Sequence, residues 1–335
     1  MSRILRAAVV GASSLQGKEL AEELSASKAA VWDVTLLDTG ESQGIVTAAG
    51  DEAAVIQPVA AESFAGVDVA FFTGDPATAR ERWTMAQQAG ASIVDLTGAL
   101  ERVPGVLVRC PWVNGGTKSD LATVGVVAAH PAAVMLAVVS QRLQRRFGPV
   151  KLAATVMEPA SQMGGPGLDE LHQQTVALLS FQAVPKDVYD AQVAFNLRSA
   201  LGGAAKTDLS VTAETIRRQF AALVAGEKIA VPAIQLVQAP VFHGYTASIF
   251  VTLQGADESA VRQALAGGIA DVGESSTPSN ESVAGLGEIQ IEVSAEQTGE
   301  GFWLWMAADN LRLAARNSVA CAAELAALRP AGGLH

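Results

Sequence analysis

Cysteine, histidine and tyrosine are all scarce in this chain, and each shortage closes off a class of chemistry. The 335 residues contain two cysteines, four histidines and two tyrosines. Two cysteines cannot build the disulfide framework of a secreted domain. Cys110 and Cys321 also lack the histidine spacing of a zinc site, so no metal is expected. Each reads as a small packed residue, in keeping with a reducing, cytoplasmic setting. Charge is sparse as well: 17% of residues are charged, the net charge is −11, and lysine and arginine nowhere form a run. That balance excludes nucleic acid and an anionic membrane surface as partners, because both need clustered cations.

Long uncharged runs are also few. One of them, Leu121 to Gln141, approaches the ~20 residues of a membrane span. Its middle, however, is Ala129-His130-Pro131, with a Val-rich half before and an Ala-, Met- and Leu-rich half after. A proline removes a backbone donor and restricts its neighbour, so the run reads as strand, break and helix. The opening "MSRILRAAVVGASS" has early arginines, but its short apolar run leads into a glycine turn and suits a first strand better than a signal peptide.

What is present is apolar residue, half of the chain, enough to bury two moderate cores. Through residues 1–148, "RAAVVGA", "VTLLD", "VDVAFFTG" and "ASIVDLTG" read as strands, with "GKELAEELSAS" and "ATARERWTMAQQAG" as helices between them. Such alternation implies a parallel sheet with crossover helices. Near Phe147-Gly148 the pattern changes. In 149–308 three helical stretches mix with "IQLVQAPVFHG", "TASIFVTLQG", "GEIQIEV" and "FWLWMAA", which implies an α+β domain with a largely antiparallel sheet. The Ala-rich helix within 309–330 is expected to pack back on the first domain. No repeat is present, and "GESSTPSNESVAG" is a polar loop.

One motif points to a ligand. In "VVGASSLQGKEL" a strand ends at Gly11 and a helix begins near Gly17, so the turn Gly11, Ser13, Ser14, Leu15, Gln16, Gly17 could set helix N–H groups against a pyrophosphate. Ser14 replaces the middle glycine of the usual spacing. Asp38 ends the next strand about 20 residues on, where an acid bonds a ribose 2′-hydroxyl and repels a 2′-phosphate. Weak binding of NAD, in preference to NADP, is the expectation; a tight turn without ligand is the alternative.

From end to end the chain resembles the aspartate-semialdehyde dehydrogenase family, and within it the USG-1-like branch. The resemblance rests on "VVGASSLQGKEL", "VDVAFFTG", "AGASIVDLTGAL", "PWVN", "PASQMGGPGLDEL", "AQVAFN", "APVFHGY" and "DNLRLAARNSVACAAEL", in that order and spacing. It implies a Rossmann-like doubly wound parallel sheet domain followed by an α+β dehydrogenase/dimerisation domain, a homodimer, and a small carboxylate as ligand. Family chemistry uses a cysteine thiolate as nucleophile, a histidine base, NADP, phosphate and anion-binding arginines.

At those places this sequence departs. The cysteine's place falls on Pro131 and the base's on Tyr245. Gln238 falls where a substrate arginine is expected, and Glu101, beside Arg102, where a phosphate-binding one is. Arg217 and Arg218 lie near a further expected cation. His130 and His243 are the available substitutes. Asn114, Glu158, Ser161 and Gln238 are expected to border the substrate cleft, whereas His172 and His335 read as surface residues. A site without nucleophile, base or cationic clamp has lost the stabilisation that drives the reaction. Three functions follow: a non-catalytic binding or assembly protein, an oxidoreductase on another substrate, or a subunit that pairs with a true dehydrogenase.

Overall fold

The structure, a computed structural model, describes residues 4–27, 30–49, 52–115, 123–253, 255–273 and 277–328; His335 and part of the run from Leu121 lie outside them. By contacts the chain forms two compact units, one up to His130 together with the segment from Ala314 on, the other Pro131–Leu313.

The first unit contains β1 (Ile4–Val10), α1 (Leu15–Ala26), β2 (Val31–Asp38), β3 (Val46–Ala49), β4 (Glu52–Val55), β5 (Gln57–Pro58), β6 (Val69–Phe72), α2 (Pro76–Gln88), β7 (Ser92–Asp95), β8 (Val106–Arg109), α3 (Pro111–Asn114) and β9 (Gly125–Ala128). Seven of these strands form one sheet in the order β5-β2-β1-β6-β7-β9-β8, and every pairing in it is parallel. β6 and β9 are buried along their whole length, as strands covered on both faces must be. One face packs Val9, Leu36 and Phe71 against Leu20 and Leu24 of α1. The other packs Val10, Leu37 and Phe72 against Ala79 and Ala86 of α2. The sheet is therefore doubly wound. Local signals start the helices: Ser14 caps α1, and Asp75 caps α2 ahead of Pro76.

The second unit holds α4 (Pro131–Phe147), β10 (Leu152–Glu158), α5 (Gly164–Leu179), α6 (Leu209–Leu223), β11 (Ala233–Gln238), β12 (Tyr245–Thr252), α7 (Glu258–Leu265), β13 (Ala270–Asp271), β14 (Ile289–Ala295) and β15 (Gly301–Ala308). Its mixed sheet runs β11-β10-β12-β15-β14-β13. Helices α4, α6 and α7 pack together, with α6 on β11 and α7 on β14. By its contacts α4 goes with this unit, so the division falls one helix ahead of the composition change at Phe147-Gly148. The sheet's buried face carries Val156, Leu236, Ile249, Ile291 and Leu304. On the other face Trp303 is 47% exposed and tilts against Phe250 at 5.1 Å. Trp305 is half-buried and donates to Pro278 O at 2.7 Å.

Helix α8 (Asn310–Leu328) closes the chain. From Ala314 on it belongs to the first unit, where Ala315, Val319, Ala322 and Leu325 join the α1 face of the core. Glu324 of α8 accepts from Arg109 Nε at 2.9 Å, and Asn317 donates to Arg109 O at 3.2 Å. No helix among the described residues is long and apolar enough to cross a membrane.

A polar hub fixes the segment containing "AQVAFN". Glu170 and Gln174, one turn apart on α5, are both buried. Glu170 accepts from the backbone N–H groups of Val188 and Tyr189. Gln174 accepts from Val193 and Ala194 and donates to the carbonyls of Pro185 and Ala191. This bonding satisfies a loop that has no ladder of its own.

Candidate functional site

In the first unit β1 and β6 lie side by side, and the chain departs from them toward opposite edges of the sheet. Their C-terminal ends mark the switch point where open parallel sheets take ligands. The backbone there leaves no room for side chains. A Cβ on Gly11, whose φ is +81°, would sit 2.3 Å from Thr73 O, and one on Gly17 would sit 2.3 Å from Gly11 O. Gly17 N donates to Ser14 Oγ at 2.9 Å, and Ser14 Oγ donates to Gly11 O at 2.7 Å. The Ser14 hydroxyl thus caps the helix, and the first-turn N–H groups without an intrahelical acceptor are those of Leu15 and Gln16. Asp38 accepts from Ser13 N and Thr39 N, both at 2.8 Å, which fixes its carboxylate beside the turn.

In the second unit three neighbouring strands bring Gln238, Glu158 and Tyr245 into a row. Glu158 and Gln238 are register partners on β10 and β11, and Tyr245 begins β12 on the other side of β10. All three are completely buried. Tyr245 Oη donates to Glu158 Oε2 at 3.2 Å. Gln238 Nε2 donates to Glu158 O at 3.0 Å and Ala239 O at 3.1 Å, which commits both its protons and turns its oxygen away. Glu158 Oε1 and Gln238 Oε1 have no hydrogen-bond partner among the described residues. Burial pushes the Glu158 carboxyl up to about 7, against the opposing effect of the Tyr245 hydroxyl. Burial and the neighbouring Glu158 hold the Tyr245 phenol well above its ordinary 10. Ser161, also buried, donates from Oγ to Asn310 Oδ1 at 3.1 Å, and the same oxygen accepts from Gly244 N at 2.9 Å.

The other expected residues are dispersed. Pro131 is buried at the start of α4. His130, just ahead of it, is half-buried; burial holds its imidazole down to about 4 despite Glu101, so it is neutral at pH 7. His243 does not share the strand face of Tyr245. β12 starts only at Tyr245, after Pro240 has removed a ladder donor and Gly244 has turned the chain at φ +84°. His243 is exposed in that turn. Asn114 commits its side chain to Cys110 N and Val108 O. Arg217 donates to Ile234 O and Arg218 to Thr215 Oγ1. Arg102 and His172 are exposed. Both cysteines are buried thiols, and burial pushes Cys110 up to about 12. No cluster of three or more His, Cys, Asp or Glu suited to a metal occurs among the described residues.

Sequence reasoning missed Thr73, Asn310 and Tyr189. Thr73 Oγ1 lies 2.8 Å from Val10 O and 3.0 Å from Gly11 O, beneath the glycine turn. Tyr189 is fully buried near enough to Glu158 for that charge to raise its phenol. Only their contacts across many intervening residues give them these positions, and no short motif carries such a signal.

Comparison with known proteins accords with this geometry. Residues 6–135 match the model of the semialdehyde dehydrogenase NAD binding domain, and residues 141–313 that of the semialdehyde dehydrogenase dimerisation domain. A USG-1 protein homolog of Pseudomonas aeruginosa is 31% identical over 97% of this chain and 98% of its own. The structure of a probable aspartate-semialdehyde dehydrogenase from Pseudomonas aeruginosa superposes with a TM-score of 0.86 at 28% identity, over 97% of this chain and 99% of that one. Aspartate semialdehyde dehydrogenase II of Vibrio cholerae shares the fold, with a TM-score of 0.85 at 21% identity over 97% and 98% of the two chains. The chain belongs to the aspartate-semialdehyde dehydrogenase family, in its USG-1-like branch.

The burial of Glu158 has a consequence for stability. Its folded value of about 7 lies above the ordinary 4.5, so the folded state binds the extra proton and stability falls as pH rises through that window, then levels off. Glu158→Gln does not titrate. Between pH 4.5 and 8 the stability difference, measured by urea unfolding, should move in the variant's favour by on the order of 3 kcal/mol. A pH-independent difference would mean that Glu158 titrates normally.

Proposed function

We propose that this chain is a diverged member of its family that binds NAD and assembles as a homodimer without carrying out the phosphorylating dehydrogenase reaction. The observation that carries this reading is the Tyr245–Glu158 pair. Where the family resemblance places an imidazole base, a phenol held well above 10 donates to a buried carboxylate at 3.2 Å. Such a phenol takes no proton near neutrality. Pro131, at the nucleophile's place, has neither thiol nor hydroxyl. Gln238, at the place of the substrate arginine, is neutral, and its amide protons are committed to backbone carbonyls.

These groups would have to return together, because residues that act as a unit restore function non-additively. Pro131→Cys should gain a thiol that alkylating reagents modify, with no measurable reduction of NAD or NADP in the presence of aspartate semialdehyde and phosphate. Adding Tyr245→His and arginines at positions 238 and 101 gives the first variant expected to turn over. Turnover by the unaltered chain at the rate of an active family member would replace this reading with that of an oxidoreductase using His130.

NAD should bind in the first unit, with the N–H groups of Leu15 and Gln16 toward its pyrophosphate and Asp38 toward the ribose 2′-hydroxyl. A 2′-phosphate would meet the Asp38 carboxylate, so NAD should bind at least about tenfold more tightly than NADP; a titration with NADP the tighter ligand would contradict this. The open face of the second sheet, with Phe250 and Trp303, supports a dimer surface. Sedimentation should give twice the 34.5 kDa chain mass, and a monomer at micromolar concentration would count against it.

A further inference from the structure

We propose that the row Gln238, Glu158, Tyr245 is a subsite for a hydrogen-bond donor group of a ligand, an ammonium or amide N–H, and that it excludes carboxylates. Two acceptor oxygens, Glu158 Oε1 and Gln238 Oε1, are buried in this row without a hydrogen-bond partner among the described residues. They come from register partners on adjacent strands and so face the same side of the sheet. The donors that could compensate them are taken. Tyr245 donates to the other Glu158 oxygen, and both Gln238 amide protons go to main-chain carbonyls. Buried oxygens left without a donor are costly, so a donor entering here is favoured, whereas a carboxylate would add a third acceptor.

The charged and titratable surroundings have the same sense. Tyr189 is buried near Glu158, and Glu170 is the next acid beyond it. α4 brings no charged residue between Pro131 and Gln141. On α6, Arg217 and Arg218 are held by Ile234 O and Thr215 Oγ1, and Glu214 pairs with Arg217. A cation adjacent by backbone position is Arg198, whose main chain bonds that of Gln238 in both directions. Its Nε donates to Ala200 O at 3.2 Å, at the exposed edge of the unit. A charged donor should therefore bind with a pH dependence set by Glu158, favoured as the carboxyl ionises around a value of about 7.

The subsite lies where the family resemblance places dehydrogenase groups and so builds on their proposed loss. Binding and turnover are measured separately, and either can fail without the other. The chain's two tyrosines, Tyr189 and Tyr245, both neighbour Glu158, so protein labelled with 13C-tyrosine reports on this row with two ring signals, assigned by Tyr245→Phe. The probes are ethylammonium, acetamide and acetate, close in shape and different in charge, at constant ionic strength. Ethylammonium and acetamide should shift the Tyr245 signal saturably and acetate should not. Ethylammonium affinity should rise about tenfold from pH 6 to pH 8, following the ionised fraction of a group titrating near 7. Glu158→Gln should abolish that rise while keeping acetamide binding. Gln238→Leu, which leaves the Tyr245–Glu158 bond in place, should weaken both probes several-fold and decides the matter if Glu158→Gln does not fold. Two results overturn the proposal. Acetate binding that disappears in Arg198→Ala would show that Arg198 makes the row an anion site. Tyrosine signals unmoved by every probe would show that the two oxygens are satisfied internally, by a proton shared between Glu158 and Gln238 or by a trapped water.

Discussion

The complete burial of Glu158 is the constraint from which the chemistry of the second unit follows. A carboxylate removed from water needs donors or a proton. Among the described residues the side-chain donor reaching it is Tyr245 Oη, and Gln238, its register partner, turns its protons to the main chain instead. The carboxyl is held near neutrality and the phenol well above 10. A sheet end that resembles an imidazole and guanidinium site by position holds a phenol and a neutral amide at those places, beside a buried carboxyl.

That end is set by tight local geometry. Ala160 N and Ser161 N donate to Val241 O and Phe242 O, and Asn310 ties Ser161 to Gly244. The turn before β12 is thereby clamped to the chain that follows β10. The clamp places Tyr245 at the first residue of its strand and leaves His243 outside. The first unit is tight in a different way: Gly11, Gly17 and Thr73 interlock at the switch point, and Ser14 closes the cap where a middle glycine would leave room. NAD binding there is expected to be weak for that reason.

Much of the architecture was legible in the sequence because it rests on local signals. Alternating buried strands, the Ser14 and Asp75 caps and the break at His130-Pro131 are readable within a few residues, and the ordered motifs carried the family. What was not legible depends on pairings between distant segments. The sequence "VFHGY" reads as alternating strand, yet Pro240 and Gly244 make it a turn. Glu170 and Gln174 look like polar residues on a helix face, yet they bond six backbone groups of the loop 185–194 and are buried. Gln238 stands at the place of an arginine by sequence; that its amide commits both protons to carbonyls and leaves its oxygen bare depends on the register of β10 with β11.

The chemistry of this row depends on Glu158 being an acid that titrates near neutrality and is bonded to an un-ionised Tyr245. The most direct measurement is a carbon-detected NMR titration of the glutamate side-chain carboxyls, with Glu158 assigned by its loss in Glu158→Gln. A midpoint near 7, with the Tyr245 ring carbon unchanged through pH 10, is the predicted result. A midpoint at the ordinary 4.5, or ionisation of Tyr245 below pH 10, would contradict it, because the row would then be hydrated rather than buried.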